Sequence, residues 1–521
     1  MTELLLGDEA VALAALDAGI AGAFSYPGTP ATEIMECIQE RTAGGNGTSA
    51  RWSPNEKVAY EEALGMSYVG RRALTAMKHV GLNVAADPFM SSALTGALGG
   101  LVLAVADDPG MHSSQNEQDS RFYGEFARIP IFEPANQQEA YDMTREAFEL
   151  SERVGLPVMV RLVTRLAHSR AIVTRSAPAK ASTGERRRAE PRDWTLLPVN
   201  ARRRFRRLID VQSTLHDHSE RSVHNRLVVQ GPKGILASGV GYNYVREAIG
   251  GDSGYSVLQV GVYPIPGGLL RKFVDHCERI LVVEEGYPFI ESRLNGLLGL
   301  PGRVVEGKCS GALPPDGELS SELVRRALGL PQREARDPLS GLPNRPPALC
   351  SGCPHCDTFR LITDALGAPA DPILFSDIGC YTLGALPPYN AVHSCVDMGA
   401  SISMAHGAAK AGAHPVLCTI GDSTFTHSGM APLLGAAHEN ANITVIILDN
   451  ATVAMTGGQE AFVTGEDFVR LICGLGVDPQ HVIRFEPLRK DHAKNVEMLR
   501  REIVETQRTL ASRLIEREEP A

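Results

Sequence analysis

No run of apolar residues in this chain is long enough to cross a bilayer; the longest, such as Leu98–Ala106, stop well short of a membrane helix. That excludes a membrane-spanning reading. The start carries no signal-like segment and the ten cysteines show no regular pairing, so the expected compartment is a reducing cytoplasm. An excess of positive charge is missing as well. The 51 Lys and Arg against 61 Asp and Glu leave −10, which argues against a general nucleic-acid binder. What is present is a hydrophobic content of 43% with 51 glycines over 521 residues, the profile of a globular α/β protein of about three domains.

The chain is organised around Gly421–Gln459. An apolar strand, Pro415–Ile420, runs into Gly421-Asp422-Ser423; a helix over Met430–Glu439 follows, then a second buried strand, Ile443–Leu448, ending in Asp449-Asn450. Parallel strands joined by a helix bring their carboxyl ends side by side, where open α/β sheets bind ligands. Asp422 and Asn450 are thereby placed to share one hard cation through side-chain oxygens, as Mg²⁺ prefers. The plain reading of the same residues is a βαβ unit with a turn Asp and a turn Asn.

Elsewhere the pattern alternates in the same way. Residues 4–24 read as an apolar helix, Tyr26-Pro-Gly-Thr-Pro-Ala-Thr-Glu33 as a turn feeding a helix from Thr32, and Asn55-Glu56 as the start of another helix. A strand Leu101–Ala106 leads to the polar loop Asp107–Asp119; a helix over Gln137–Val154 and a strand Pro157–Leu162 follow. The expected domains are 1–173, an α/β domain; 174–226, an Arg-rich linker; 227–330, a second α/β unit; 331–346, a linker; and 347–521, an α/β domain with a C-terminal helix. The Arg-rich stretch, with Arg186–Arg188 and Arg202–Arg207, fits a docking patch for an acidic partner or a solvated linker with a surface helix. Gly239-x-Gly241 lacks the third glycine of a dinucleotide loop and is set aside.

Several of these stretches together resemble one family. Tyr-Pro-Gly-Thr-Pro-Ala-Thr-Glu (26–33), Asn-Glu-Lys-Val-Ala (55–59), Met-Lys-His-Val-Gly-Leu-Asn-Val-Ala-Ala-Asp-Pro (77–88), the 106–119 loop, Cys350-Ser-Gly-Cys353-Pro-His355 and Asp449-Asn450…Met455-Thr-Gly-Gly-Gln459 look like the large (alpha) subunit of indolepyruvate ferredoxin oxidoreductases. These belong to the thiamine diphosphate-dependent 2-oxoacid:ferredoxin oxidoreductases. Ser423 stands where the general thiamine diphosphate fingerprint has a glycine. The resemblance implies a thiamine diphosphate-binding fold of two parallel-sheet α/β domains (1–173 for the pyrimidine, 347–521 for the diphosphate), plus a transketolase C-terminal-like α/β domain. It implies oxidative decarboxylation of arylpyruvates to acyl-CoA, with electrons passed to ferredoxin or another acceptor. A small beta subunit, coenzyme A and a hetero-oligomer come with it. By the same resemblance Asp422, Asn450 and the Thr452 carbonyl hold Mg²⁺, while Gly421, Ser423 and His355 lie at the cofactor. Glu56 relays a proton to the thiamine pyrimidine and Thr29 contacts the substrate. For Glu56 a solvated helix-start glutamate, for Thr29 a turn hydroxyl and for His355 a structural cap are the alternatives.

Cys350, Cys353 and Cys380 match three cysteines that hold a 4Fe–4S cluster in related enzymes; the fourth thiolate is unassigned, with Cys356 and Cys395 as spare candidates. The same thiols fit a retained fold motif without a cluster. The family's usual C-terminal ferredoxin-like segment has no counterpart after Cys473, so electrons are expected to leave through another polypeptide or through such a cluster. Rival readings are a non-oxidative thiamine diphosphate decarboxylase or ligase, and an idle scaffold subunit. In pyruvate-using relatives the position of Met455 is a polar Asn near the substrate, and the 106–119 loop offers no arginine for a small carboxylate. Both features point to an aromatic side chain on the substrate.

Overall fold

A computed structural model of the chain describes residues 1–45, 47–179, 190–250, 254–333, 341, 347–367 and 373–516, without the side chains of 191 and 505–516. Arg186–Arg188 and nearly all of the 331–346 linker beyond Arg333 therefore lie outside the described residues. The chain forms two compact units, Met1–Asp337 and Pro338–Ala521.

The first unit is built on a seven-stranded sheet. Its strands are β1 (Gly22–Ser25), β2 (Ser49–Trp52), β3 (Ala73–Lys78), β4 (Leu101–Asp107), β5 (Ile131–Phe132), β6 (Val158–Val163) and β7 (Val262–Tyr263), in the order β7-β5-β6-β4-β3-β1-β2. All are parallel except β7, which runs antiparallel to β5. Every residue of β4 is buried, as expected of a continuous apolar run covered on both faces by crossover helices. Helices α1 (Gly7–Asp17), α2 (Thr32–Thr42), α3 (Glu56–Tyr68) and α4 (Gln137–Val154) supply the cover. Asn55 caps α3 by accepting the Val58 N–H (2.9 Å), and α4 ends where Gly155 turns into the left-handed region at φ 68°.

The stretch 4–24 is not one helix. Thr2–Leu5 pairs as a strand with Ala171–Thr174, α1 follows, and Gly22–Ser25 is the interior strand β1. The helix stops because Gly19 takes φ 75°. Its sequence misleads because Ala10–Ala15 are buried all round, which leaves no polar stripe to mark its length.

A five-stranded sheet completes this unit, in the order Val304–Glu306, Arg279–Val283, Lys233–Ser238, Tyr255–Val260, Arg226–Val228, the last antiparallel to its neighbour. One hydrophobic core runs through both sheets. The Arg-rich segment folds onto this unit as helices, including α5 (Pro198–Asp210) and α6 (Gln212–Arg221). Arg204 is buried and donates to the Leu94 and Thr95 carbonyls (2.6 and 2.5 Å), closing the C-terminus of helix Ala86–Thr95; Trp194 stacks on Tyr68 at 4.2 Å.

The second unit holds a parallel sheet of β8 (Ile373–Ser376), β9 (Ser394–Cys395), β10 (Val416–Gly421) and β11 (Thr444–Leu448), in the order β9-β8-β10-β11. Helix α7 (Pro354–Leu366) and the C-terminal helix His492–Glu516 pack against one another beside one core, which includes Phe359, Tyr381 and Leu499. Ile402, Phe425 and Phe468 belong to the other core. Among the described residues no helix is long and apolar enough to cross a membrane.

Candidate active site

In the second unit the chain leaves β10 at Gly421 and turns directly into helical backbone. Asp422–Thr424, a π turn at Phe425–Gly429 and helix α8 (Met430–His438) follow one another without a break. The π turn lies immediately after the Asp422 motif, the kind of place where such bulges recur. Asp422 is 3% exposed. Its Oδ1 accepts the Ser423 N–H (2.7 Å), and its Oδ2 accepts the N–H groups of Asn450 (3.2 Å) and Ala451 (2.7 Å) at the end of β11. One carboxylate thus ties together the carboxyl ends of two adjacent parallel strands, as the spacing of Asp422 and Asn450 anticipated. Burial pushes the Asp422 carboxyl up, the backbone donors pull it back, and among the described residues no cation pairs with it. Asn450 Oδ1 accepts the Thr452 N–H (3.2 Å), and Ala451 takes φ 59° to make that tight turn. A buried, unpaired anion beside side-chain and backbone oxygens is a donor set that fits a divalent cation.

Around it, Gly421 leaves no room for a side chain: a Cβ would stand 2.8 Å from Tyr381. The Tyr381 ring in turn meets the buried His355, edge to face, at 6.1 Å between centroids. Burial lowers the His355 pKa, so the ring is neutral at pH 7. Cys353 is the N-cap of α7; burial is the main cause of the raised Cys353 and Cys380 pKa values, with Cys356 and Cys350 adding at Cys353 and Cys353 and Cys350 adding at Cys380. Cys350 is exposed; all ten cysteines of the chain are free.

The first unit gathers a second set at the carboxyl edge of its larger sheet. Thr29 lies in the turn after β1, Glu56 at the first position of α3, Lys78 at the end of β3, and the 107–119 loop follows β4. Glu56 is buried, and its carboxyl group packs over Gly81, where an added Cβ would stand 2.5 Å from Oε1. Ser113 Oγ donates to the Thr29 carbonyl (3.3 Å), Lys78 Nζ donates to the Ser113 carbonyl (3.0 Å), and Asp108 holds the loop by accepting from Ser113 N, Ser114 Oγ and Thr164 Oγ1. Lys78 and Gly81 both lie in the 77–88 motif, but neither is singled out by sequence reasoning. The available signal is a lysine closing an otherwise apolar strand.

The loop's ends are fixed by buried charge. Arg161 donates to Asp107 (2.7 Å) and Glu133 (2.5 Å); Arg121 donates to Asp119 (2.5 Å) and to Glu284 (2.8 Å) on the five-stranded sheet side. Such pairs are costly to break one partner at a time, so they hold the loop to both sheets.

A further group, of buried Asp8, half-buried Glu33 and exposed His168, lies near the Thr29 turn. One oxygen each of Asp8 and Glu33 and one ring nitrogen of His168 lie within 4.8 Å of one another. Burial, then the Glu33 charge, push the Asp8 carboxyl well above the ordinary range; the His168 hydrogen bond lowers Glu33, and Glu33 raises His168. Asp8 therefore holds its proton more tightly than an exposed aspartate, beside a Glu33–His168 ion pair. A carboxyl raised on folding binds its proton more tightly in the native state, so stability falls as pH rises above about 3.8 toward the folded value. The His168 contribution is complete below about 6.5 and is lost as pH rises through its raised folded value, the same direction. Asp8→Asn keeps the shape and removes the first slope. The variant should melt a few degrees above wild type at pH 8.5, with a shallower pH dependence by thermal-shift assay. Parallel curves would rule out titration of Asp8.

Residues 13–226 match the family model described as pyruvate flavodoxin/ferredoxin oxidoreductase, thiamine diphosphate-binding, and residues 377–494 match the thiamine pyrophosphate enzyme C-terminal TPP-binding domain. The chain is 41% identical over 471 residues to indolepyruvate oxidoreductase subunit IorA of Methanothermobacter thermautotrophicus, covering 87% of this chain and 76% of that one. It is 39% identical over 529 residues to the IorA subunit of Archaeoglobus fulgidus (95% and 83% covered), and 39% over 501 residues to that of Pyrococcus abyssi (89% and 76%). Among solved structures, the 2-oxoglutarate:ferredoxin oxidoreductase of Magnetococcus marinus shares the fold at TM-score 0.50 and 17% identity, over 63% of this chain and 65% of that one. The sheets and motifs described above are those of an α/β thiamine diphosphate-binding protein, and the chain belongs to the indolepyruvate oxidoreductase IorA (alpha) subunit family.

Proposed function

We propose that the chain is the thiamine diphosphate-binding subunit of a complex that oxidatively decarboxylates arylpyruvates such as indolepyruvate, passing the acyl group to coenzyme A and the electrons to ferredoxin. The observation that carries this reading is a similarity of about 40% identity to IorA subunits along most of the chain, with Glu56, Asp422 and Asn450 all present. Thiamine diphosphate, when bound, supplies a carbanionic carbon that adds to 2-oxo groups and accepts the electron pair released with CO₂. Asp422, Asn450 and the Thr452 carbonyl are the residues for Mg²⁺. Ser423 and the N–H groups at the start of the helical run after Gly421 suit a diphosphate, with neutral His355 as a further donor. Glu56 would be the carboxyl group that passes a proton to and from the pyrimidine ring of the bound cofactor. The Thr29 hydroxyl donates to the oxygens of the substrate.

Cys350, Cys353 and Cys380 would furnish three of the thiolates that a 4Fe–4S cluster takes, with Cys356 on the next turn of α7 as the fourth candidate. A small beta subunit completes the complex, and ten free thiols suit a reducing cytoplasm. Met455 is exposed on the short turn after Thr452–Val453, a position for an adaptable apolar wall against an aromatic ring, a contact worth about 0.3–1.5 kcal/mol. The reconstituted complex is expected to show higher kcat/KM for indolepyruvate, phenylpyruvate or 4-hydroxyphenylpyruvate than for pyruvate. Met455→Asn should narrow the ratio by several-fold. Faster turnover of pyruvate or 2-oxoglutarate would sink the arylpyruvate reading.

A further inference from the structure

We propose that Lys78 binds the carboxylate of the 2-oxoacid substrate, its Nζ standing beside the Thr29 turn as a positive charge offered to the ligand. The inference rests on the reading that the site takes a 2-oxoacid, and it deepens that reading by naming the anion's partner. Lys78 is the last residue of β3, flanked by β1 and β4, at the carboxyl edge where parallel sheets bind their ligands. Its stem runs along the turn: a Cβ built on Gly28 would touch Lys78 Cβ, Cδ and Cγ at 3.5, 3.7 and 3.9 Å. These are ordinary van der Waals spacings, so the stem lies alongside residue 28, next to Thr29.

The ammonium is half satisfied. One of its three donors goes to the Ser113 carbonyl at 3.0 Å, and among the described residues no carboxylate lies within ion-pairing distance of Nζ. The two acids whose charge it feels are Asp108 and Glu56. Asp108 is occupied by Ser113, Ser114 and Thr164, and Glu56 packs over Gly81. Burial consequently lowers the lysine to about 8, the mark of a cation held without an adequate counter-ion. The arginines at the ends of the neighbouring loop are already spent: Arg161 on Asp107 and Glu133, Arg121 on Asp119 and Glu284. A carboxylate arriving at Thr29 would supply the missing anion. A single ammonium also grips it as a point charge, which leaves discrimination between side chains to the rest of the pocket.

The test uses the reconstituted complex loaded with thiamine diphosphate and Mg²⁺, and reads binding by calorimetry. The probes are phenyllactate, which keeps the carboxylate and cannot react, and its neutral amide. Lys78→Met retains the stem against Gly28 and is expected to weaken phenyllactate about tenfold or more, the scale of a charge-assisted hydrogen bond, while leaving the amide unchanged. Lys78→Arg should recover part of the loss. Equal phenyllactate affinity in wild type and Lys78→Met overturns the assignment and leaves the arylpyruvate reading in place. An equal loss for the amide also overturns it, because the lysine would then only shape the turn. A complex that binds 2-hydroxyglutarate instead, with the same dependence on Lys78, supports the lysine's role and overturns the arylpyruvate reading.

Discussion

Asp422→Ala is expected to abolish tight binding of thiamine diphosphate. On the proposed reading the carboxylate has two tasks. It would be the anion offered to Mg²⁺, and it accepts the N–H groups of Asn450 and Ala451, fixing the turn that carries the Asn450 and Thr452 oxygens. Alanine removes that carboxylate and leaves three backbone donors, the N–H groups of Ser423, Asn450 and Ala451, without their acceptor. Loss of an outer-shell partner alone costs a metal site about 10–100-fold, so a residue serving as both ligand and organiser should cost at least that much. Calorimetric titration of the cofactor with Mg²⁺ measures it; unchanged Mg²⁺-dependent affinity would remove Asp422 from the metal site. The same geometry sets a pH dependence. Burial raises the Asp422 carboxyl, so protons compete with the cation at a higher pH than for an exposed aspartate. Cofactor affinity of the wild type should therefore fall as pH drops through that raised value, and this slope should vanish in Asp422→Ala.

Local chemistry made the Asp422–Asn450 unit legible in the sequence. Two buried strands, a helix between them and polar residues at both carboxyl ends are all short-range signals, and the structure brings the two ends together through one carboxylate. The start of α3 and the full span of α4 were readable for the same reason. Helix α1 was not, because a helix buried on every side has no amphipathic period and its end depends on the conformation of Gly19. Nor were the charged groups that only the fold assembles. Asp8, Glu33 and His168 come from three separate elements, and Arg121 meets Glu284 across a sequence separation of 163 residues. The Arg-rich segment reads as solvated by composition, yet Arg204 is buried because the last carbonyls of helix Ala86–Thr95 need a donor. Lys78 is the instructive case. As a residue it resembles any strand-end lysine, and only its place beside the Thr29 turn and the occupied state of Asp108, Arg121 and Arg161 mark it out.

Glu56→Gln should leave the cofactor bound but slow exchange of the thiamine C2 proton about 10²-fold or more, the scale of a lost general acid–base group. The substitution keeps the side chain's length and its place at the start of α3, and removes only the ability to hold and release a proton. NMR of the C2 proton in deuterated buffer reads the rate directly, without requiring electron acceptor, coenzyme A or partner subunit turnover. Gly81→Ala provides an independent test of the same assignment. Its added Cβ would stand 2.5 Å from Glu56 Oε1 and 2.7 Å from Cγ, so the glutamate must swing aside while its carboxyl group is retained. Because the atoms that yield are those of a flexible side chain, the fold should survive and the melting temperature should change little. Exchange in Gly81→Ala should nevertheless drop toward the Glu56→Gln rate, since the carboxyl is present but displaced from its place over residue 81. Wild-type exchange in Glu56→Gln would refute the proton role outright. Wild-type exchange in Gly81→Ala alone would show that Glu56 works from a second position, reached without leaving the pyrimidine's proton.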